Sequence, residues 1–274
     1  IYMLKNKNFL ITGGAGFIGS HVAKALLSKG ARITIIDSML PSYGGNLFNL
    51  DGIIDDVELI IGDVRDESLL KKNVVNKDYI FSLAGQLSHL DSMKYPFNDL
   101  EVNCKSHLSL LETCKIYNPK VKIIFSSTRQ VYGNFKYLPV DENHPLNPPD
   151  VNGINKLAAE YYYKLYNNIY GVKSVIFRLT NTYGPGQLIK NNKQGFTGIY
   201  FREALLNNVI KIKGDGQLIR DFNYVSDVVD AFFTAIINDE CWGEVFNLGA
   251  DNYYTIIDFL EILNKYCNLD YQLI

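Results

Sequence analysis

The sequence lacks any run of apolar residues close to the roughly 20 that a membrane-spanning helix needs. Its N-terminus has no apolar stretch of the kind that forms a signal peptide. No sign of charge dominates either, since 27 lysines and arginines nearly balance 29 aspartates and glutamates, leaving a formal charge of -2. These absences give no support to membrane binding or to nucleic-acid binding. We therefore predict a cytoplasmic protein whose partner is a small polar molecule.

Cysteine is scarce and is not arranged for metal binding. The four cysteines form no C-x-x-C pair and have no histidine partners at zinc-finger spacing. They are Cys104, Cys114, Cys241 and Cys267. We expect buried or incidental free thiols in a reducing compartment, and no metal site.

What the sequence does contain is a regular alternation of short apolar runs and helical patterns. With 274 residues, 47% of them apolar, the chain can bury a sizeable core. The apolar runs cover 9–12, 32–36, 57–61, 79–83, 121–125 and 173–179, and helical patterns cover 17–29, 97–117 and 155–170. Continuous apolar strands separated by helices predict an α/β fold with a doubly wound parallel sheet that is covered on both faces.

The rhythm of the sequence changes after Gly184-Pro185-Gly186. Looser polar stretches follow, with helical patterns at 196–206, 225–237 and 255–266. We predict that 1–180 form the sheet domain and that 181–274 mainly form a smaller C-terminal domain, partly interleaved with the first. The last helical pattern lies close to the end of the chain, which leaves open whether the smaller domain is complete.

A glycine-rich turn lies between the first predicted strand and the first predicted helix. In the segment TGGAGFIG, Gly13 permits a tight turn, Gly16 lets the backbone approach a pyrophosphate, and Gly19 permits close packing of the helix. The predicted helix begins at Phe17, so its N-terminus, with Phe17 and Ile18, would face the phosphates of the cofactor. This context predicts a Rossmann dinucleotide-binding site.

The second predicted strand ends at an acidic residue. Asp37 lies about twenty residues after the glycine turn, where a carboxylate accepts hydrogen bonds from the adenosine ribose. No arginine follows it in Ser38-Met39-Leu40, so a 2′-phosphate would meet a negative charge without a counterion. We therefore predict that NAD is the cofactor rather than NADP, that 1–180 bind it, and that 181–274 mainly bind the substrate.

Together with later motifs, this turn resembles the extended short-chain dehydrogenases, and among them the sugar-nucleotide epimerase/dehydratase family. The resemblance covers nearly the whole chain. In the segment GDVRD it implies that Asp63, with Val64, contacts the adenine. The segment LAGQ resembles the family's L-A-A-Q segment, and the resemblance implies that it lines the nicotinamide side together with the helix-borne Asn103. The residues of that segment are Leu83, Ala84, Gly85 and Gln86.

Three further motifs imply a site for a nucleotide-diphosphate sugar. The segment SSTRQVYG at 126–133 resembles the family's S-S-[ST]-x-x-V-Y-G, which implies that Thr128 hydrogen-bonds the reacting hydroxyl. Asn181, in RLTNTYGP, is implied beside the sugar diphosphate. Arg220, in RDFNYV, is implied to grip that diphosphate, a task that suits its planar guanidinium. We add Ser88 and Arg129 as substrate-binding candidates.

The family's Tyr-x-x-x-Lys pair is incomplete in this chain. Lys156 is present and is expected to hold the nicotinamide ribose, but Asn152 stands where the family has the catalytic tyrosine. An amide has no group that titrates near neutral pH, so it cannot act as the general base. Another group can replace the tyrosine: His89, predicted in a loop after the fourth strand, because imidazole titrates near neutral pH, or Lys156 through a water, or Tyr132. The sequence is also compatible with slow turnover in which solvent accepts the proton, and with binding without turnover.

A second departure concerns the residues after Thr128. The family's 4,6-dehydratases carry an Asp-Glu pair there, whereas this chain has Arg129-Gln130, which cannot eliminate water. We predict oxidation of a sugar hydroxyl, by analogy at C4, and a 4-epimerase as the outcome. The alternatives are a 4-dehydrogenase that releases the keto sugar of a hexose or heptose, for example a GDP-linked one, and recycles NADH, and a catalytically idle NAD-binding protein. By analogy with the family's helical interface, we expect a homodimer.

Overall fold

The computed structural model describes residues 4–190, 195–207, 209–212, 214–266 and 270–273. The strands in these residues are β1 Asn8–Thr12, β2 Arg32–Asp37, β3 Glu58–Ile61, β4 Tyr79–Ser82, β5 Lys122–Thr128, β6 Ser174–Leu179, β7 Asn181–Tyr183, β8 Val209–Ile212, β9 Ile219–Tyr224, β10 Val245–Leu248, β11 Tyr253–Thr255 and β12 Asp270–Leu273. The α-helices are α1 Phe17–Leu27, α2 Glu67–Asn73, α3 His89–Lys94, α4 Pro96–Leu100, α5 Ser106–Tyr117, α6 Val151–Tyr170, α7 Phe196–Asn207, α8 Val225–Ile237 and α9 Ile256–Asn264.

Seven strands form one parallel sheet in the order β10-β6-β5-β4-β1-β2-β3. The chain runs outward from β1 in one direction and, after a crossover to β4, in the other. Such a reversal opens a crevice at the carboxyl ends of β1 and β4, where ligands of doubly wound sheets bind. The predicted doubly wound parallel sheet is confirmed.

The strands are apolar throughout because both faces of the sheet are covered. One face packs against α1 and α8, with Phe9, Phe81 and Phe232 fully buried in the same cluster. The other face packs against α2, α5 and α6 around the stacked rings of Phe125 and Tyr163. Burying one such large apolar side chain is worth about 1.5–3 kcal/mol, so these two layers hold the strand ends in place.

The chain after residue 180 contributes to more than one layer. Strands β11, β9 and β7 form a three-stranded sheet, and β12 pairs with β8. Helix α8 and strand β10, in contrast, lie with the main sheet, where β10 pairs with β6. The sequence pattern does not predict β10 because its four residues, VFNL, are too short to show a period. The division near residue 180 stays a prediction.

Two predicted local structures next to the cleft need correction. Helix α6 begins at Val151 and not at 155, because Asp150 caps its N-terminus by accepting from the Gly153 amide at 2.8 Å. Asn152 therefore lies in the first helical turn. His89, predicted in a loop, is the first residue of α3, whose N-cap is Ser88.

The predicted helix at 97–117 is not a single α-helix. A π-helical turn, Glu101–Lys105, joins α4 to α5 along one helical path. Such turns often lie at functional sites because they rotate side chains out of the regular helical spacing. This turn carries Asn103.

No described helix is long and apolar enough to cross a membrane. Cys104, Cys114 and Cys241 are free thiols, whereas Cys267 lies outside the described residues. The cytoplasmic location stays a prediction.

Candidate active site

A cleft opens at the carboxyl ends of β1 and β4 and gathers most of the residues singled out from the sequence. The predicted residues that line it are Gly13, Gly16, Phe17, Ile18, Gly19, Asp37, Asp63, Val64, Leu83, Ala84, Gly85, Gln86, His89, Thr128, Arg129, Asn152, Lys156 and Asn181. Residues from six strand ends and several helices therefore meet in one place.

The glycine turn leaves no room for side chains at one end of this cleft. Gly13 has a φ of +73°, and a Cβ there would lie 2.9 Å from the backbone of Ala84. A Cβ on Gly19 would lie 2.3 Å from the carbonyl oxygen of Gly13. Close backbone approach of this kind brings the free amides at the start of α1 to the cleft, which suits a pyrophosphate.

Asp37 closes β2 beside the turn. Its carboxylate accepts from the amides of Ala15 at 3.0 Å and Met39 at 2.8 Å, so it is held by backbone on both sides. Burial raises the pKa of the Asp37 carboxyl, and these backbone bonds oppose that rise. Further along the cleft, Asp63 pairs with Arg65 at 2.6 Å.

The segment after β4 carries an unsatisfied acceptor. A Cβ on Gly85 would lie 2.9 Å from Asn103 Oδ1 and 3.2 Å from Lys156 Nζ, so the backbone here passes close to both side chains. Gln86 is buried and donates through Nε2 to the Ser88 carbonyl at 2.9 Å, but its Oε1 has no partner among the described residues. A buried orphan acceptor is normally satisfied by water or a ligand. With the glycine turn and Asp37, it fits a bound dinucleotide that offers a donor at this point.

Asn152, at the position where the family motif predicts a tyrosine, belongs to a buried cluster around Asp99. Asp99 is fully buried and accepts from the side-chain amides of Asn103 at 3.0 Å, Asn152 at 3.3 Å and Asn155 at 2.8 Å. Asn152 Nδ2 also donates to the Gln86 carbonyl at 2.7 Å. The amide nitrogen is thus tied to the protein, and no described residue donates to Asn152 Oδ1. We call Asp99, Asn103, Asn152 and Asn155 the amide cluster.

The sequence analysis did not single out Asp99 or Asn155. The four-residue spacing of Asp99 and Asn103 would place both on one helical face, and that signal was available. Nothing in the sequence indicates that Asp99 or Asn103 contacts α6. Asn103 itself does not line the cleft but supports Gln86 from behind, where its Nδ2 donates to the Gln86 carbonyl at 2.9 Å.

Lys156 lies between the amide cluster and β5. Its side chain is 4% exposed and donates to the Ser126 carbonyl at 3.1 Å. Burial lowers the pKa of Lys156 to about 8, while the negative charges of Asp99 and Glu160 oppose the decrease. Lys156 therefore loses its proton at a lower pH than an exposed lysine.

A buried ion pair supports the end of β5 from below. Arg178 Nη2 lies 2.7 Å from Glu160 Oε2, and both side chains are at most 2% exposed. Ser127 donates to the same carboxylate, and Arg178 Nη1 donates to the Tyr132 hydroxyl at 2.7 Å. Tyr132 in turn donates to Asn247 at 2.6 Å and does not line the cleft. Its hydroxyl serves this network, and burial raises the pKa of Tyr132.

The substrate end of the cleft holds a guanidinium. Arg129 follows Thr128 directly, and its Nη2 lies 3.4 Å from Asn181 Oδ1. Desolvation and the nearby Arg220 lower the pKa of Arg129. Arg220 does not line the cleft; its guanidinium lies 5.6 Å from the ring of Phe196, which does. Ser88 is fully buried, and its hydroxyl caps α3 by accepting from Asp91.

A glycine turn at the start of α1 and a carboxylate at the end of β2, at the switch point of a doubly wound sheet, define a dinucleotide-binding site. Residues 9–249 match the model of the NAD dependent epimerase/dehydratase family, and the chain belongs to this family. The predicted family and the predicted NAD dependence are thereby confirmed. The family includes both epimerases and dehydratases, so membership alone does not fix the reaction.

Individual relatives cover most of the chain. A putative UDP-glucose 4-epimerase of Methanocaldococcus jannaschii is 34% identical over 256 residues, which are 93% of this chain and 80% of that protein. A CDP-paratose 2-epimerase of Salmonella typhi is 32% identical over 289 residues, covering 95% and 85%. The solved UDP-N-acetylglucosamine 4-epimerase of Methanobrevibacter ruminantium, in complex with UDP-N-acetylmuramic acid, superimposes with a TM-score of 0.91 at 31% identity, covering 98% and 86%.

Proposed function

We propose that this protein is an NDP-sugar 4-epimerase, which oxidises the C4 hydroxyl of a nucleotide-diphosphate sugar and then reduces the ketone from the opposite face. The observation that carries the proposal is the placement of Thr128 and Lys156 in the same cleft as the glycine turn. The relatives named as 4-epimerases support the choice of reaction.

Bound NAD supplies a hydride acceptor, and the chain's own residues bind and orient the sugar. Thr128 hydrogen-bonds the reacting hydroxyl, and Lys156 holds the ribose next to it. Arg129 and Asn181 bind the charged part of the substrate, with Arg220 behind them. Binding energy gained at the diphosphate, away from the reacting carbon, positions the sugar ring.

The residues after Thr128 favour epimerisation over loss of water. Arg129 and Gln130 both line the cleft, and neither carries a carboxyl group. Gln130 also donates its backbone amide to Thr128 Oγ1 at 3.2 Å, so it lies beside the residue that would orient the hydroxyl. An elimination needs an acid and a base at this point, and the described residues there provide a guanidinium and an amide.

A panel of UDP-, GDP-, CDP- and dTDP-sugars tests the proposal. The absorbance of NADH is followed during incubation, and products are identified by mass spectrometry and NMR. We expect one of the sugars to reach an equilibrium of two C4 epimers with no net NADH. Thr128→Ala should lose this interconversion.

Each alternative product points to a different function. A released keto sugar with stoichiometric NADH contradicts epimerisation and identifies a dehydrogenase, whose NADH a second substrate such as a keto acid would reoxidise. A 4-keto-6-deoxy sugar identifies a dehydratase. If no sugar is turned over and none reduces bound NAD, the enzyme proposal fails and the protein is an idle NAD binder.

A homodimer through α4 and α6 is part of this proposal. Helix α6 exposes Ile154, Tyr161 and Leu165 at spacings of seven and four residues, which places them on one face, and Phe97 of α4 is 80% exposed. Tyr161→Asp should convert a dimer to a monomer in sedimentation experiments, whereas Leu205→Asp on α7, at a residue 67% exposed, should not. A wild-type monomer would contradict the dimer.

A further inference from the structure

We propose that Asp150 and His89 form a proton relay that replaces the missing tyrosine, with His89 Nε2 as the proton acceptor and Asp150 as the residue that fixes its tautomer. The inference rests on the proposed function, because a relay needs a sugar hydroxyl to deprotonate. The juxtaposition of Asp150 with His89 is visible only in the folded chain, since 61 residues separate them.

The contact with Asp150 determines which ring nitrogen of His89 carries the hydrogen. His89 Nδ1 lies 2.7 Å from Asp150 Oδ2. An ionised carboxylate can only accept, so Nδ1 must donate. A neutral ring protonated on Nδ1 has its lone pair on Nε2, which is the nitrogen that takes a proton. The carboxylate then stabilises the imidazolium that forms.

Gln130 lies against the His89 ring on the substrate side. Its amide nitrogen is 2.7 Å from His89 Nε2 and 3.4 Å from Nδ1, so it approaches the ring from the side and leaves the in-plane lone pair of Nε2 open. Its backbone amide donates to Thr128 Oγ1 at 3.2 Å. His89, Gln130 and Thr128 all line the cleft, and the proposal places the sugar hydroxyl between Thr128 and the open lone pair of His89 Nε2.

Asp150 also ties the relay to the helix that lacks the tyrosine. Its other oxygen accepts from the Gly153 amide at 2.8 Å and caps α6, the helix of Asn152 and Lys156. One carboxylate therefore holds His89 in register with this helix. The amide of Asn152 points its nitrogen into the amide cluster, which leaves the proton transfer to the His89 side of the cleft.

The remaining charged groups near α3 have partners of their own. Helix α3 packs against α4 and α6. On α4, Asp99 is bound by three side-chain amides, and on α6, Lys156 donates to Ser126. On α3 itself, Asp91 lies in the turn capped by Ser88, and Lys94 lies over the Tyr95 ring. Among the described residues, Asp150 is the charged group that bonds to the His89 ring.

In the proposed oxidation, the sugar loses a proton to His89 and a hydride to the cofactor. The O–H bond of the sugar hydroxyl breaks and its proton goes to His89 Nε2. The hydrogen of the adjacent C–H bond leaves with its bonding electron pair as a hydride, which NAD⁺ accepts, and the electron pair of the broken O–H bond forms the C=O bond. Return of the hydride takes the same proton back from His89. General acid–base help of this kind is worth about a hundredfold to ten-thousandfold in rate.

Two variants separate the relay from the helix cap in steady-state kinetics. Asparagine caps helices as well as aspartate does, so Asp150→Asn keeps the cap while removing the carboxylate from His89. We expect Asp150→Asn to lower kcat by about tenfold or more with a smaller change in KM. His89→Gln should lower kcat by about a hundredfold and change the pH profile of kcat/KM. The double variant should lose little more than His89→Gln alone.

The matched control is Asp66→Asn. Asp66 caps α2 through the Ser68 and Leu69 amides and has no histidine partner among the described residues. This variant should keep the wild-type kcat and pH profile. Wild-type turnover with unchanged pH dependence in both Asp150→Asn and His89→Gln overturns the relay and leaves the proposed function standing, whereas an inactive wild type overturns the proposed function first.

A spectroscopic readout tests the tautomer without any substrate. The chain has four histidines, so the ¹⁵N signals of the His89 ring can be assigned by their loss in His89→Gln. We expect the Nδ1-protonated form in the wild type and a shift towards the Nε2-protonated form in Asp150→Asn, with the other three rings unchanged. An Nε2-protonated ring in the wild type overturns the relay.

Discussion

Two buried carboxylates, Glu160 on α6 and Asp99 on the adjoining α4, are stabilised in different ways. Glu160 is paired with Arg178 and takes a further hydrogen bond from Ser127, so its charge is cancelled within the ion pair. Asp99 is held by three neutral amides, so its charge is solvated but not cancelled. The ion pair serves the framework under β5, whereas the amide cluster keeps a negative charge beside Lys156.

This difference explains how a lysine can be buried next to an altered catalytic position. Desolvation favours the neutral form of Lys156, and among the opposing charges that of Asp99 is the larger influence. The amides that hold Asp99 include that of Asn152. Asn152 thus helps to fix the carboxylate that supports the lysine.

The largest expected effect comes from breaking the ion pair. Glu160→Gln leaves the Arg178 guanidinium buried without its counterion, and loss of one partner of a buried pair typically costs about 3–5 kcal/mol. We expect the free energy of unfolding in urea to fall by that amount. The control is Asp239→Asn, which removes a surface pair with Lys122 at a side chain that is 83% exposed, and should leave unfolding unchanged. Equal losses in both variants would contradict a framework role for Glu160.

The features that the sequence predicted are those with local signals. The turn from Gly13 to Gly19 sits between a strand and a helix, and Asp37 ends the second strand, so the period of the pattern places them, whereas Thr128 is placed by the resemblance of SSTRQVYG to the family motif. The confirmed sheet follows from the same periods. The short strand β10 was not predicted, because four residues are too few to show a period.

The features that the sequence did not predict depend on how helices meet. Asp99 and Asn155 come together only because α4 packs against α6, and His89 meets Asp150 because α3 packs against the start of α6. The start of α6 itself was misplaced by four residues because the cap at Asp150 follows two prolines and reads as loop. Long-range polar pairs of this kind carry no periodic signal along the chain.

A smaller loss is expected when the amide cluster is altered. Asp99→Asn keeps the shape of the side chain, but its single oxygen can no longer accept from three amides, and its own NH₂ group faces a donor. Leaving buried donors unsatisfied costs about 1–3 kcal/mol. We expect a loss of unfolding free energy of that size, smaller than in Glu160→Gln, together with a further decrease in the pKa of Lys156.

The control for this variant is Asp66→Asn at the exposed cap of α2, where an amide can serve as well as a carboxylate. Urea unfolding gives the stability of each variant, and the pH dependence of NAD binding reports on Lys156. A loss as large as that in Glu160→Gln would show that the two carboxylates play the same structural part, and would remove the distinction between them.

The smallest expected effect is a pH dependence of NAD binding set by Lys156. Burial lowers the pKa of this lysine from its ordinary value near 10.5 to about 8, so its positive charge is present below pH 8 and is lost as the pH rises through that value. The pyrophosphate of NAD is anionic, and one unit charge at a partly screened distance is worth about 1 kcal/mol. We expect calorimetry to show binding that weakens by about threefold to tenfold between pH 7 and pH 9.

Two variants decide whether this dependence belongs to Lys156. Lys156→Met should bind NAD more weakly at pH 7 and without the change above pH 8, whereas Lys164→Met, two turns further along α6, should behave as the wild type. Stability should change in the opposite sense, because below pH 8 the folded protein holds a buried charge that the unfolded chain leaves in water. That cost disappears between about pH 8 and 10.5, so the wild type should gain unfolding free energy over this window relative to Lys156→Met. NAD binding by the wild type that stays constant from pH 7 to pH 9 would contradict a role for the positive charge of Lys156, which Asp99 of the amide cluster stabilises.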